Sequence, residues 1–209
     1  MPRPLPPQVV AQAGGSEADA VRDHILDAAH RVIVSHGLAG ASTRAIAAEA
    51  GVGAGTVYNY FDNRLQLLAQ AILRRTHLLA RPLDDLSTQA GKDNVSRNLR
   101  RFAGQAGAVL DEMVPLFAAA FSDTDLMQAL RHELARGALS HDPAAPIESY
   151  LRAEQVLGRV AADADCRAAA TTVVSLCHDR AFHLFLTGET PTRGSLTREI
   201  DLIARAVTR

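Results

Sequence analysis

The sequence predicts an all-α protein, and three observations carry that prediction. Apolar residues recur three and four apart through nearly every segment, which is the period of one helix face. The core must be built from Ala, Leu, Val and Ile, because aromatics make up only 4% of the 209 residues and Trp is absent. Ala and Leu lose little entropy in helices, and the β-branched runs here are short. Finally, no stretch alternates apolar and polar residues as a half-buried strand would.

The elements follow in order. MPRPLPPQVVAQAGG carries four prolines and no apolar core of a leader, so residues 1–16 read as a disordered tail rather than a signal peptide. Ser16 followed by Asp19 starts a first helix, with Val21, Ile25, Ala28, Ala29 and Val32 at helical spacing and Gly37 as its end. A second helix runs from about Thr43 to Ala50, capped by Ser42 or Thr43 and stopped by Gly51. A third fits between Gly53 and Phe61. Asn63 caps a fourth, with Gln66 reaching back and Leu65, Leu68, Ile72 and Leu79 on its apolar face; Pro82 closes it.

Beyond Pro82 the pattern stays helical. Val95, Leu99, Phe102, Ala106, Leu110 and Met113 form one stripe, expected to end near Pro115, with VPLFAAAF and DLMQALRHELA as shorter helices. His141 to Pro146 reads as a loop and Ile147 to about Ala162 as a helix. A long apolar face from Cys166 to Phe185 ends at Gly188, and Leu196, Ile200, Ile203 and Val207 make a last amphipathic helix after the turn TPTRGS.

Charge and cysteine content exclude more than they assign. The net charge is −1, with seven Arg against six acids between Glu17 and Arg81, so bulk charge announces no polyanionic partner. Of the 22 basic residues only Lys92 is lysine. Cys166 and Cys177 on one helix would stand about 16 Å apart, too far to bridge, and read as buried thiols of a reducing cytosol. No apolar run approaches the ~18–20 residues that span a bilayer, so the expected setting is cytoplasmic, with no membrane partner.

The most informative stretch is GVGAGTVYNYF, Gly51 to Phe61. Its glycines suggest a phosphate cradle, but a dinucleotide-binding loop needs G-x-G-x-x-G after a strand, and here the spacing is G-x-G-x-G after a helix. A P-loop needs Gly-Lys-Ser/Thr, and no lysine lies within the stretch. Helix, tight turn, helix fits instead: Gly51 left-handed, Val52 in the turn, and a helix from about Ala54 burying Val57 and Phe61. Gly55, Thr56 and Asn59 then point outward with Tyr58 and Tyr60 on the flanks. Such a face lacks long charged side chains and offers what a helix entering a DNA major groove needs.

The segment Ile25 to Ile72, containing STRAIAAEAGVGAGTVYNYFDNRLQLL, resembles the DNA-binding domain of the TetR family of bacterial transcriptional regulators. The Thr-Arg pair, Ile46, Ala47, Ala50, Gly51, Val52, Gly55, Thr56, Tyr58, Phe61 and Leu67 carry the resemblance, over roughly the first 80 residues. It implies a three-helix helix-turn-helix domain at 17–81, with the motif itself at 42–61, joined by a fourth helix to a helical effector-binding and dimerisation domain at 82–209. Two departures stand out. Gly53 replaces a usual capping hydroxyl, and Arg64 replaces a usual lysine, keeping the positive charge.

By that resemblance Thr43 and Tyr60 bond backbone phosphates and Arg64 adds charge beside one. Arg44, Thr56, Tyr58 and Asn59 meet base edges or nearby sugars, and Gly55 acts by letting the backbone approach closely. A helix-turn-helix monomer covers too little of a site, so a homodimer on a palindromic double-stranded DNA operator is expected. Its interface is placed on Ala169, Ala170, Val173, Cys177 and Leu184 of the penultimate helix and Ile200 and Ile203 of the last. An effector pocket is expected among Phe102, Met113, Phe117 and Phe121, with Tyr150, His178 and Phe182 adding polar and aromatic groups. The implied ligand is a small molecule with apolar surface, and its binding releases a repressor from DNA.

Rival classes find less support. HELAR at His132 lacks the second histidine of a zinc-binding HExxH, and His178 and His183 sit about 140° apart around a helix, so neither a metal site nor a cofactor is expected. There is no G-x-S-x-G, and an enzyme is not expected. The alternative that remains is a helical dimeric adaptor that binds protein rather than DNA.

Overall fold

The computed structural model describes residues 17–137, 142–189 and 195–208. The protein is all-α: among the described residues there are nine α-helices, one 3-10 helix and no strand. The expected tail at 1–16, its Ser16 cap, His141 and most of the TPTRGS turn lie outside the described residues.

By packing, the chain forms two compact units, the described parts of Met1–Leu78 with Phe117–Ser140, and of Leu79–Leu116 with His141–Arg209. The division differs from a single cut after residue 81, because Phe117 onward groups with the first unit.

In the first unit α1 (Glu17–Gly40) buries Val21, Ile25, Leu26, Ala28, Ala29, Val32 and Ile33, and its backbone leaves helical geometry at Gly37, φ 69°. The next helix, α2 (Thr43–Ala50), starts where the Ser42 side chain accepts from the Ala45 amide at 3.1 Å, which makes Ser42 the cap rather than Thr43. It stops at Gly51, φ 68°, with Gly51 and Val52 amides donating back to Ala48 and Ala47. After this turn comes α3 (Ala54–Tyr58). In α4 (Arg64–Ala80), Asn63 Oδ1 accepts from the Gln66 amide at 2.9 Å while Gln66 Oε1 accepts from the Asp62 amide at 2.7 Å. Leu67, Leu68, Ile72 and Leu73 form its buried side. Pro82 turns the chain into a 3-10 helix, Arg81–Gln89, rather than ending helical structure.

One long helix, α5 (Val95–Phe121), replaces the expected break at Pro115, which lies inside it. A proline in a helix interior removes one rung and costs about 3 kcal/mol, yet apolar residues on both sides keep the helix going. The division between the two units falls just past it, at Leu116 and Phe117. Asp123 caps α6 (Thr124–Ala135) by accepting from the Leu126 amide at 3.0 Å.

In the second unit α7 spans Ala145–Val156, starting two residues and ending about six residues earlier than the sequence suggested. Pro146 is accommodated in its first turn, where a missing N–H costs nothing. Gly158, φ 71°, lies just past its end, a stop signal that the apolar pattern obscured. Asp165 caps α8 (Cys166–Thr187), which ends at left-handed Gly188, and α9 spans Ser195–Val207. Leu99, Phe102, Ile147, Tyr150, Leu151, Val173, Cys177 and Ile200 share the core of this unit. Both cysteines are free and buried, and burial pushes the Cys177 thiol up to about 11.

Candidate nucleic-acid interface

Helix α3 has only five residues and a single buried one, so its own backbone bonds do not hold it in place. Its orientation comes from two inward anchors, Val57 at 1% and Phe61 at 2% exposure. Tyr60 and Phe61 amides donate to the Val57 carbonyl, both at 3.1 Å, tying the second anchor to the first. With these two turned inward, Gly55, Tyr58 and Asn59 are exposed and Thr56 and Tyr60 half-buried. Tyr58 is 59% exposed. The fold therefore brings Gly55, Thr56, Tyr58, Asn59 and Tyr60 to one outward face, with hydroxyl and amide groups and no acidic side chain.

Thr43 and Arg44 open α2, half-buried and exposed respectively. The helix carrying them is held from two sides. His24 Nε2 is 2.9 Å from the Ala50 carbonyl at its end, and Arg31 pairs with Glu49 at 2.6 Å. Gly53 takes the N-cap position of α3 with φ −69° and ψ 146° and no side-chain cap bond.

Arg64 has a structural role that the sequence reading did not give it. Expected as charge beside a phosphate, it donates through Nε to the Ala41 carbonyl at 2.8 Å and through a terminal nitrogen to the Leu38 carbonyl. It ties the start of α4 to the end of α1 and to the loop that leads into α2. Nothing in local sequence spacing announces this, since the partners lie 23 and 26 residues away.

The expected pocket residues do not share one environment. Phe117 and Phe121 fall in the first unit, with ring centroids 6.4 Å apart and Phe121 63% exposed. In the second unit Phe102 and Tyr150 are core, Met113 is half-buried, and His178 and Phe182 are exposed. The Tyr150 hydroxyl accepts from Asn98 Nδ2 at 2.9 Å, and burial raises its pKa to about 12. His178 Nδ1 lies 2.9 Å from the Val174 carbonyl of its own helix. A cavity of about 640 Å³ in this unit is lined instead by Asn94, Val95, Ser96, Gly158, Arg159, Asp201, Ala204, Arg205 and Thr208.

The expected interface residues fall into two groups. Ala169, Ala170, Val173, Cys177 and Ile200 are at most 9% exposed and belong to the chain's own core, while Leu184 and Ile203 are half-buried. The exposed apolar side chains of these two helices are Phe182, Phe185 and Leu186 on α8 and Leu202 on α9. The sequence reads α8 as apolar on more than one side, but assigns to the interface mainly the side that the chain's own core takes up. Among the described residues no His, Cys, Asp and Glu group of three could hold a metal, and no helix is long and apolar enough to cross a membrane.

Residues 25–71 match the family model for bacterial regulatory proteins of the tetR family. Over 70 residues, 34% of this chain, the sequence is 37% identical to the HTH-type transcriptional regulator SrpR of Pseudomonas putida and, over the same length, 37% identical to the uncharacterized HTH-type transcriptional regulator TtgW of that species. The matches cover 33% and 52% of those proteins, so the chain spans about a third and about half the length of the curated relatives it matches. The fold is similar over 92% of this chain and 96% of the other to a TetR-family transcriptional regulator of Mesorhizobium loti, at TM-score 0.75 and 21% identity. It is also similar to SmeT, the repressor of the Stenotrophomonas maltophilia multidrug efflux pump SmeDEF, over 92% of each chain at TM-score 0.59 and 24% identity.

Proposed function

We propose that the chain, whose residues 25–71 match the tetR family model, is a TetR-family regulator and a ligand-responsive DNA-binding repressor, acting in the cytoplasm as a homodimer on a palindromic operator. The observation that carries this reading is the outward face of α3, where Val57 and Phe61 turn inward and present Thr56, Tyr58 and Asn59. Asn59 has the paired donor and acceptor that suit adenine, and Tyr60 and Thr43 have hydroxyls for phosphate oxygens. Arg44 adds the one free-standing charge of the set. Arg64 contributes by holding the loop before α2.

Dimerisation is assigned to Phe182, Phe185, Leu186 and Leu202, an exposed apolar set that a second copy covers. Two recognition helices then address half-sites about 34 Å apart. The effector is a small molecule with apolar surface bound by the second unit, and SmeT, a repressor of an efflux pump, supports the sign of regulation. Effector and operator affinities are coupled and reciprocal, because each ligand favours a different spacing of the same dimer.

The test is a gel-shift titration against a duplex from the region upstream of the chain's own gene, over a range of salt. Tyr60→Phe is expected to weaken binding to all sequences alike with the salt slope unchanged, because it removes a hydroxyl and no charge, while Asn59→Ala relaxes one base position by about 1–3 kcal/mol. Binding that is neither sequence-selective nor salt-sensitive overturns the proposal in favour of a protein-binding adaptor.

A further inference from the structure

Four side chains of the first unit make one connected series. Phe61, the second inward anchor of the recognition segment, lies under the Arg22 guanidinium, 5.4 Å from its ring centroid. That guanidinium donates to Gln70 Oε1 at 2.5 Å. Gln70 Nε2 in turn donates to Glu133 Oε2 at 2.9 Å, and Glu133, on α6, is 5% exposed.

The polarity of the series runs one way. An amide has one acceptor end and one donor end, so the carboxylate of Glu133 selects which end of Gln70 faces it. Turned over, Gln70 would set its NH₂ against a guanidinium and its oxygen against a carboxylate, two unfavourable contacts. A buried carboxylate on α6 therefore decides that an acceptor faces Arg22, and that acceptor holds the cation over Phe61. Helix α3 depends on such outside support, since it has no side-chain cap and one buried residue of its own.

We propose that Glu133, far outside the helix-turn-helix in sequence, is a positioning residue for the recognition helix, acting through Gln70 and Arg22 on Phe61. The proposal rests on the DNA-binding reading above. It also makes α6 a place from which operator affinity is tuned without touching any group that faces DNA.

The test is a double-mutant cycle in the full chain, read by dissociation constants for the upstream duplex and by hydrogen exchange of the Tyr60 and Phe61 amides. Glu133→Ala and Arg22→Ala are each expected to weaken binding about tenfold, and the double variant also about tenfold rather than a hundredfold, because both break one series. The salt slope stays unchanged, and Glu133→Gln, whose amide oxygen still accepts from Gln70, stays within about twofold of the parent protein. Additive losses, or unchanged affinity in Glu133→Ala, overturn the proposal. Should Glu133→Ala fail to fold, Arg22→Lys carries the same test, keeping the charge without the planar fork, and full affinity there overturns it. If the parent chain binds no DNA, the functional reading falls while exchange still judges the series. Faster, non-additive exchange at Tyr60 and Phe61 supports it, and unchanged exchange overturns it.

Discussion

Helices α3 and α8 are held in opposite ways. The first has five residues and one buried side chain, and its placement is imposed from outside by a left-handed glycine, two anchors and the clamps on α2. The second has 22 residues and six buried ones, and its placement is imposed by its own apolar face. A short element set by punctuation tolerates a polar outward face, which leaves that face free for recognition. A long element set by burial can carry a second apolar face only if something covers it, and Phe182, Phe185 and Leu186 are such a face.

The contrast breaks most sharply on α8. Val173→Asp places an unpaired charge at a fully buried site and is expected to destabilise by about 3–5 kcal/mol, measured by urea unfolding. Phe182→Asp, at a site 51% exposed, is expected to change stability by about 0.5 kcal/mol or less while reducing the mass seen in sedimentation to that of one chain. Loss of folding in the second variant would return this face to the core.

A smaller effect is expected where outside support meets the helix-turn-helix. Arg64→Ala leaves the Ala41 carbonyl without its side-chain donor and the Leu38 carbonyl with only the Ala41 amide, expected to cost about 1–3 kcal/mol in thermal or urea unfolding. Arg64→Lys restores less than half of that, because a single ammonium cannot reproduce the fork. Full stability in both variants would reduce Arg64 to a surface charge. The smallest effect sharpens the reading of α3 itself. Gly53 has backbone angles that any cap residue adopts, and an added Cβ meets only Thr56 Oγ1 at 3.8 Å. Gly53→Ser is therefore expected to stabilise by a few tenths of a kcal/mol, read as a small rise in melting temperature.

The same contrast explains what could be read from residue order. Ser42, Gly51, Asn63 with Gln66, and Gly188 act within a few residues of themselves, so their caps and stops were legible. So was the inward turn of Val57 and Phe61, because a four-residue interval suffices to place both. Arg64 and Arg22 were opaque as structural groups, since their partners lie tens of residues away. On α8, Ala169 to Cys177 were correctly apolar but assigned to the wrong neighbour, because periodicity identifies a face and not what it meets. Pro115 misled for the converse reason: its local penalty is real, and packing along the rest of α5 outweighs it.

One further consequence lies in a residue that does no recognised work. Lys92 is the single lysine of the sequence, exposed in the turn after the 3-10 helix, where its backbone carbonyl, not its ammonium, accepts from Asn98 Nδ2 at 2.8 Å. Every other cation is a guanidinium. Amine-directed dyes and cross-linkers therefore meet one side-chain address in the second unit and leave the helix-turn-helix chemically untouched, a ready-made place to attach a fluorophore.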